Sequence, residues 1–269
     1  MIYLKTGREK LTRENLAKGE ITMMQRDVHL SPKDLLMSLQ FKEGDFGDIV
    51  LVSGQQHRAK MCLEKLENHV KNFTFLGYTF WTGTYKGKKV TVGNGGFYAP
   101  DSAFVTELLC VGGVKTFIRL GSCGALREDI NVGDYILATD IVRGDGATRY
   151  YVEDDYKPKV SDDVASGIEE VFKGAGTVHK GGIWTTDALF RETKDIVNSY
   201  IQKGAIAVDM VTSPFVTVAN LYNRKVAAIL AVSDNLITGA IGFTDYRFFE
   251  AEMKMTDLAF GVIDKLNEV

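Results

Sequence analysis

One stretch of the chain constrains its fold more than any other: residues 116–126, TFIRLGSCGAL. The first five residues are apolar and partly β-branched apart from Arg119, a pattern typical of a strand covered on both faces. We expect the small residues 121–124 to break this strand and form a turn. The N–H groups of such a turn, the Ser122 hydroxyl and the Arg119 guanidinium would together suit a phosphate. The alternative is that Arg119 forms a structural ion pair at the end of the strand.

Apolar, β-rich runs alternate with amphipathic stretches along the rest of the chain. This alternation predicts an α/β fold in one domain, residues 1–269, with a mixed central β-sheet flanked by helices. A capping-box pattern at Ser31 and the pair Ser213-Pro214 each mark a helix start. The predicted strands are 48–54, 116–120, 134–142, 205–210 and 225–233, with a hairpin at 82–96 and a short extended run near 182–184. The predicted helices are 57–70, 100–110, 160–173, 215–222 and 244–266.

Composition excludes several function classes. The formal net charge of −3 gives no electrostatic footprint for nucleic acid or an anionic membrane. No apolar run approaches membrane-spanning length, so we expect a soluble, intracellular protein. The three cysteines and four histidines have no metal-type spacing, and we expect neither a disulfide framework nor a metal site.

Polar residues cluster where the predicted strands end. Ligands of open α/β sheets bind at the carboxyl ends of strands. Arginine, glycine and serine suit a phosphate there, and an aspartate suits a proton donor or acceptor. For any single residue a helix cap or a surface ion pair is the commoner explanation, so the shared location carries the hypothesis. The residues are Gly54, Arg58, Arg119, Ser122, Asp209 and Asp234.

Several blocks of this sequence, in the same order, resemble nucleoside phosphorylases of the hexameric bacterial type, which include purine nucleoside, uridine and methylthioadenosine phosphorylases. The likeness begins near residue 44, so residues 1–43 form a divergent N-terminal extension. It implies a phosphorylase-type subunit, cytoplasmic location, and a homo-hexamer built as a trimer of dimers, or a dimer. It also implies phosphorolysis of a nucleoside with phosphate as co-substrate and no metal or organic cofactor. The blocks are 44–52 (GDFGDIVLV), 82–87 (TGTYKG), 118–125 (IRLGSCGA), 131–134 (NVGD) and 232–236 (VSDNL).

The resemblance also implies roles for single residues. Asp234 would protonate the leaving base at its imidazole nitrogen, assisted by Arg247 thirteen positions later. Uridine-specific members lack this aspartate, so the pair favours a purine. Met210 would lie under the ribose. The implied phosphate site consists of Gly54, Arg58, Arg119 and Ser122. The residues implied to border the base are Cys123, Gly124, Leu189 and Phe190.

Some positions depart from the family pattern. Val211 stands where the family has the glutamate that binds the ribose hydroxyls, and Asp209 or water would have to replace that contact. The phosphate arginine lent by a neighbouring subunit has no match, although Lys71 lies in the corresponding segment. His29 is a candidate for the histidine that reaches a neighbour's sugar, and a lone histidine is more often structural.

Four hypotheses follow from these matches and departures. The first is a nucleoside phosphorylase directed to purines, and the second is a uridine phosphorylase. The third is a nucleosidase that uses water, which the implied phosphate site argues against. The fourth is a non-catalytic ligand-binding relative, which Val211 favours.

Overall fold

A nine-stranded mixed sheet organises the computed structural model, which describes residues 29–42 and 44–266. The strands lie in the order β2-β3-β4-β1-β5-β8-β7-β6-β9, and β9 pairs again with β5. The last five strands therefore close into a ring, with β5 shared between this ring and the open part of the sheet. The strands are β1 Ile49–Ser53, β2 Glu67–Phe75, β3 Tyr78–Tyr85, β4 Lys88–Asn94, β5 Thr116–Ala125, β6 Tyr135–Arg143, β7 Val178–Thr185, β8 Ala205–Asp209 and β9 Lys225–Asn235.

Helices cover both faces of this sheet. On one face α2, α4 and α7 bury a core that includes Leu51, Ile118 and Leu120. On the other face α3 and α6 pack over Val52 and Phe117. Since side chains alternate along a strand, Arg119 points to the face that α6 covers. The helices are α1 Pro32–Ser38, α2 Gln56–Leu63, α3 Ala99–Val111, α4 Asp162–Phe172, α5 Lys194–Ile201, α6 Thr212–Leu221 and α7 Tyr246–Lys265.

The predicted fold class is confirmed, and so is the hairpin, which β3 and β4 form. Lys86 and Gly87 at its turn both have positive φ, as a tight two-residue connection requires. The capping box at Ser31 is also present, with the hydroxyl accepting from the Asp34 N–H. Within the described residues no helix is long and apolar enough to cross a membrane.

Three local predictions are wrong. The helix predicted at 57–70 ends at Leu63, because Glu67–Phe75 pairs with β3 as an edge strand. Residues 121–124 do not form a turn, since they continue β5 in parallel pairing with β9. Helix α6 begins at Thr212, before the predicted cap at Ser213, because the Asp209 carboxylate accepts from the Thr212 N–H.

Candidate active site

The ends of β1, β5, β8 and β9 bring together most of the polar residues singled out in the sequence. Arg119 on β5 lies beside Val52 of β1 on one side and Ala228 of β9 on the other. Further along β5, Gly124 lies opposite Asp234. The register of the sheet therefore accounts for the clustering of polar residues predicted near the strand ends.

Arg119 forms a buried ion pair with Asp209. Its Nη2 donates to Asp209 Oδ2 over 2.8 Å, and its Nε donates to Thr212 Oγ1 over 3.0 Å. Asp209 also accepts from the hydroxyls of Thr185, at 2.8 Å, and Thr212, at 2.5 Å. The structure thus shows the structural ion pair that the sequence left as an alternative. Both oxygens of Asp209 thus accept from donors within the fold.

Gly121 explains why β5 contains glycine without turning. A Cβ built at this position would come within 2.8 Å of the Arg119 guanidinium carbon. Gly124 is crowded in the same way, since a Cβ there would lie 2.5 Å from the Leu236 Cδ1 and 3.0 Å from Asp234 Oδ2. These glycines therefore let side chains approach the strand closely, and the sequence pattern was misread as a turn.

Arg58 reaches the sheet from α2 and is only 1% exposed. Its Nη1 donates to the Leu120 carbonyl over 2.7 Å, and its Nη2 forms an ion pair with Glu252 on α7. Its Nε has no hydrogen-bond partner within the described residues. Burial lowers the pKa of Arg58, and the adjacent Glu252 carboxylate opposes that shift. Such a guanidinium stays charged.

Ser122 and Gly54 complete the predicted phosphate group. The Ser122 side chain is half-buried on β5, and its hydroxyl has no protein partner in the part of the chain described. Gly54 follows β1 directly. A Cβ added to Gly54 would come within 3.1 Å of the Gly96 carbonyl oxygen. Gly54 lies where β1 ends, Ser122 lies within β5, and both are partly exposed, so a ligand could reach them.

Asp234 is half-buried beside Gly124, and burial raises the pKa of its carboxyl. The Ser233 hydroxyl donates to it over 2.6 Å, which partly offsets the effect of burial. Burial raises the pKa of the Cys123 thiol well above its usual value, and the charges of Asp209 and Asp234 raise it further. A raised carboxyl pKa is the property that a proton donor needs at neutral pH.

Glu192 is a carboxyl group near Asp234 that sequence reasoning missed. It follows the 3₁₀ turn Leu189–Arg191 and is half-buried. Burial, followed by the charge of Asp234, raises the pKa of Glu192 to about 7. Helix α5 begins two residues later, and its Val197 packs in the same cluster as Leu236, two residues after Asp234. A single glutamate in a loop carried no pattern that could have identified it.

Other predicted residues lie apart from this group. Arg247 is exposed at the start of α7, where its guanidinium binds Asp245. It lines an open cleft of ≈ 400 Å³ with Asp134, Glu250 and Lys254. The predicted pairing of Arg247 with Asp234 is therefore not present in this structure.

The residues implied to contact the nucleoside differ in exposure. Phe190 is 96% exposed and Leu189 is 50% exposed, so much of both side chains is open to solvent. Val211 is buried at the start of α6, and Met210 beside it is half-buried. His29 is exposed, and so is Lys71, which lies in the segment where the family has the neighbour's phosphate arginine.

No group of three or more histidine, cysteine or carboxylate side chains within the described residues is placed to hold a metal ion. The three cysteines are free and buried.

Comparisons with known proteins agree on one family. The family model described as "Phosphorylase superfamily" matches residues 48–261. A purine nucleoside phosphorylase DeoD-type from Bacillus cereus is 33% identical over 205 residues, which cover 75% of this chain and 87% of the relative. One from Jannaschia sp. is 33% identical over 199 residues, covering 72% and 85% of the two chains.

Two solved structures share the fold. Uridine phosphorylase from Vibrio fischeri superposes with a TM-score of 0.76 at 24% identity, covering 84% of this chain and 95% of the other. Purine nucleoside phosphorylase from Toxoplasma gondii, in complex with immucillin-H, gives a TM-score of 0.76 at 18% identity, with coverage of 83% and 93%.

Proposed function

Since the chain belongs to the phosphorylase superfamily, we propose that it is a nucleoside phosphorylase directed to purines. It cleaves the N-glycosidic bond with inorganic phosphate and gives a free base and a pentose 1-phosphate. Phosphate is the co-substrate, and the proposed reaction uses no metal or organic cofactor. The Bacillus and Jannaschia relatives are named for the same activity on purine nucleosides.

One observation carries the proposal: a half-buried aspartate with a raised pKa lies beside the small residues at the end of β5. Breaking the glycosidic bond builds positive charge on the sugar and negative charge on the leaving base. The C–N electron pair moves to the base, whose imidazole nitrogen takes the proton of Asp234. A phosphate oxygen forms the new bond to the sugar carbon.

We assign the phosphate to the strand ends around Ser122, Gly54 and the two arginines. The Ser122 hydroxyl and the Arg58 Nε are the donors there that lack protein partners in the described part of the chain. Two guanidinium groups give this region the donors that a phosphate prefers.

A non-catalytic relative of the same fold is the second candidate. Two observations favour it. Val211 is buried where the resemblance implies a ribose-binding glutamate. In addition, Arg58 and Arg119 are both paired with internal carboxylates.

A product assay separates the candidates. Inosine, guanosine, adenosine and uridine are incubated with the protein with and without phosphate, and free base and pentose 1-phosphate are measured. We expect base release from purine nucleosides only with phosphate, in equal amounts with pentose 1-phosphate. Release without phosphate, together with free pentose, would identify a nucleosidase. Nucleoside binding without any release would identify the non-catalytic relative.

A further inference from the structure

The contact between Arg58 and Glu252 is a buried ion pair at the proposed phosphate site. The two side chains are 1% and 3% exposed, and they join α2 to α7 across the end of the sheet. An ion pair so enclosed is screened little by solvent or salt. An anion that binds Arg58 must therefore compete with a carboxylate that is already in place.

The charges of the buried groups around the proposed phosphate site cancel. Arg119 is neutralised by Asp209 and Arg58 by Glu252, so these four buried groups carry no net charge. Hydrogen bonds from a charged guanidinium to a phosphate are roughly twice as strong as neutral ones, and a carboxylate already bound to the guanidinium offsets that charge. The site in this structure offers donors to phosphate but little net attraction.

One nitrogen of Arg58, Nη2, decides how a phosphate can bind this side chain. A guanidinium binds an oxyanion at two points through its side edge, Nε with Nη2, or its end edge, Nη1 with Nη2. Nη2 belongs to both edges, and Glu252 holds it, while the Leu120 carbonyl holds Nη1. Nη2 carries two N–H groups, so a phosphate that makes a two-point contact with Arg58 either takes Nη2 from Glu252 or shares it with that carboxylate. Sharing places two anions on one nitrogen, where they repel each other, so Glu252 competes with phosphate in both cases.

Glu252 has a second partner available. The Nε2 of His57, which is 56% exposed, lies 3.7 Å from Glu252 Oε2. This distance is longer than a hydrogen bond, and a carboxylate that turns away from Arg58 needs only a small movement to accept one from the His57 ring. The ion pair can therefore open without leaving the carboxylate with no polar partner.

We propose that Glu252 is an internal competitor of phosphate at Arg58, and that it sets the phosphate affinity of the enzyme. The proposal rests on the proposed function, because it takes Arg58 to be a phosphate ligand. Glu252 makes no contact with substrate in this scheme, and it acts through Arg58.

Glu252→Gln tests the proposal, because it keeps the shape of the side chain and removes its charge. We expect the variant to bind inorganic phosphate about 10-fold more tightly or better in calorimetry, since the charge-assisted contact that phosphate must displace is gone. Glu250→Gln is the matched control, because Glu250 lies two residues away on α7, pairs with Lys254 and is half exposed. It should leave phosphate affinity unchanged.

Unchanged or weaker phosphate binding by a folded Glu252→Gln variant would overturn the proposal, and weaker binding would show that Glu252 orients Arg58 for phosphate. If the unaltered protein binds phosphate and releases base, this result leaves the proposed function standing. If neither protein binds phosphate, both proposals fail.

A structure of the unaltered protein with phosphate gives a test that does not depend on the variant folding. We expect Arg58 Nη2 on a phosphate oxygen and Glu252 turned to His57. Phosphate bound with the Arg58–Glu252 contact intact would contradict the proposal.

Discussion

Asp234 is the residue on which the proposed chemistry depends most directly. Its position beside Gly124 and its raised pKa suit a general acid, whereas Arg247, the partner implied by the family resemblance, binds Asp245 instead. The proton would therefore be supplied by a carboxyl whose neighbours are the Ser233 hydroxyl and a second carboxyl, Glu192.

Asp234→Asn keeps the shape of the side chain and removes the proton. General acid catalysis contributes about 10²–10⁴-fold, so kcat/KM for guanosine should fall on that scale. 7-Methylguanosine is already cationic at the nitrogen in question, and its phosphorolysis should fall much less. Steady-state kinetics on the two nucleosides provide the measurement. Equal losses would mean that Asp234 positions the base and that the proton comes from another group.

Glu192 links protonation to stability. Its pKa is raised to about 7 in the folded protein, against about 4.3 in an unfolded chain, so the folded state binds the proton more tightly. The stability that this gives is fully present below the unfolded value and is lost as pH rises through about 7. A residue at position 192 that does not ionise therefore avoids this loss of stability at high pH.

Glu192→Gln should therefore gain stability relative to the unaltered protein as pH rises. Urea unfolding at pH 5 and pH 8 measures the free energy of unfolding, and the difference between variant and parent should be larger at pH 8. Glu128→Gln, at an exposed glutamate, is the control and should show no such trend. A difference that is the same at both pH values would mean that Glu192 does not titrate in this range.

At the scale of elements, Arg119 and Asp209 join β5 to the junction of β8 and α6. Asp209 ends β8, its carboxylate accepts from the first N–H of α6, and the same carboxylate holds Arg119. One buried ion pair thus fixes how α6 leaves the sheet. Breaking a buried pair on one side leaves an uncompensated charge, which is costlier than removing both partners.

A double-mutant cycle tests whether the Arg119–Asp209 ion pair stabilises the junction of β8 and α6. Arg119→Met alone should lower the free energy of unfolding by about 3–5 kcal/mol, since Asp209 stays buried without its cation. The double variant with Asp209→Asn should be more stable than the single Arg119→Met variant, because asparagine still accepts from Thr212 and carries no charge. Chemical denaturation of the four proteins gives the coupling. Losses that simply add would show that the two residues act independently.

Two of the confirmed predictions depend on local chemistry, whereas two of the wrong ones depend on contacts with other parts of the chain. The hairpin at Lys86-Gly87 and the capping box at Ser31 rest on local chemistry, and both were predicted. The glycines at 121 and 124 were misread because a close approach by a distant side chain, such as Leu236, cannot be seen in sequence. The first four residues of β2, 67–70, were assigned to a helix because the strand pairing of β2 comes from β3. The ends of β1, β6, β8 and β9 were predictable to within two residues, whereas the end of β5 and the partners of each site residue were not.

At the scale of the whole molecule, five large apolar side chains lie exposed where the chain leaves β9 and begins α7. Tyr246, Phe249 and Met253 recur at helical spacing on one face of α7, and Ile241 and Phe243 precede them; their exposed fractions run from 47% to 75%. Clustered exposed apolar side chains of this kind are typical of surfaces that contact another protein. The family resemblance implies that the partner is another copy of this chain, in a hexamer or dimer.

Phe249→Asp should therefore dissociate the assembly. We expect the unaltered protein to sediment as a multiple of its 29.8 kDa chain mass, and the variant to shift toward the single chain, because a carboxylate buried in an apolar interface stays unpaired. Tyr150→Asp is the control, since Tyr150 is 90% exposed and lies outside these five residues. Analytical ultracentrifugation compares the three proteins at equal concentration. If the unaltered protein sediments as a single chain, the proposed contact between copies does not exist. If the assembly survives Phe249→Asp, the contact between copies lies elsewhere on the surface.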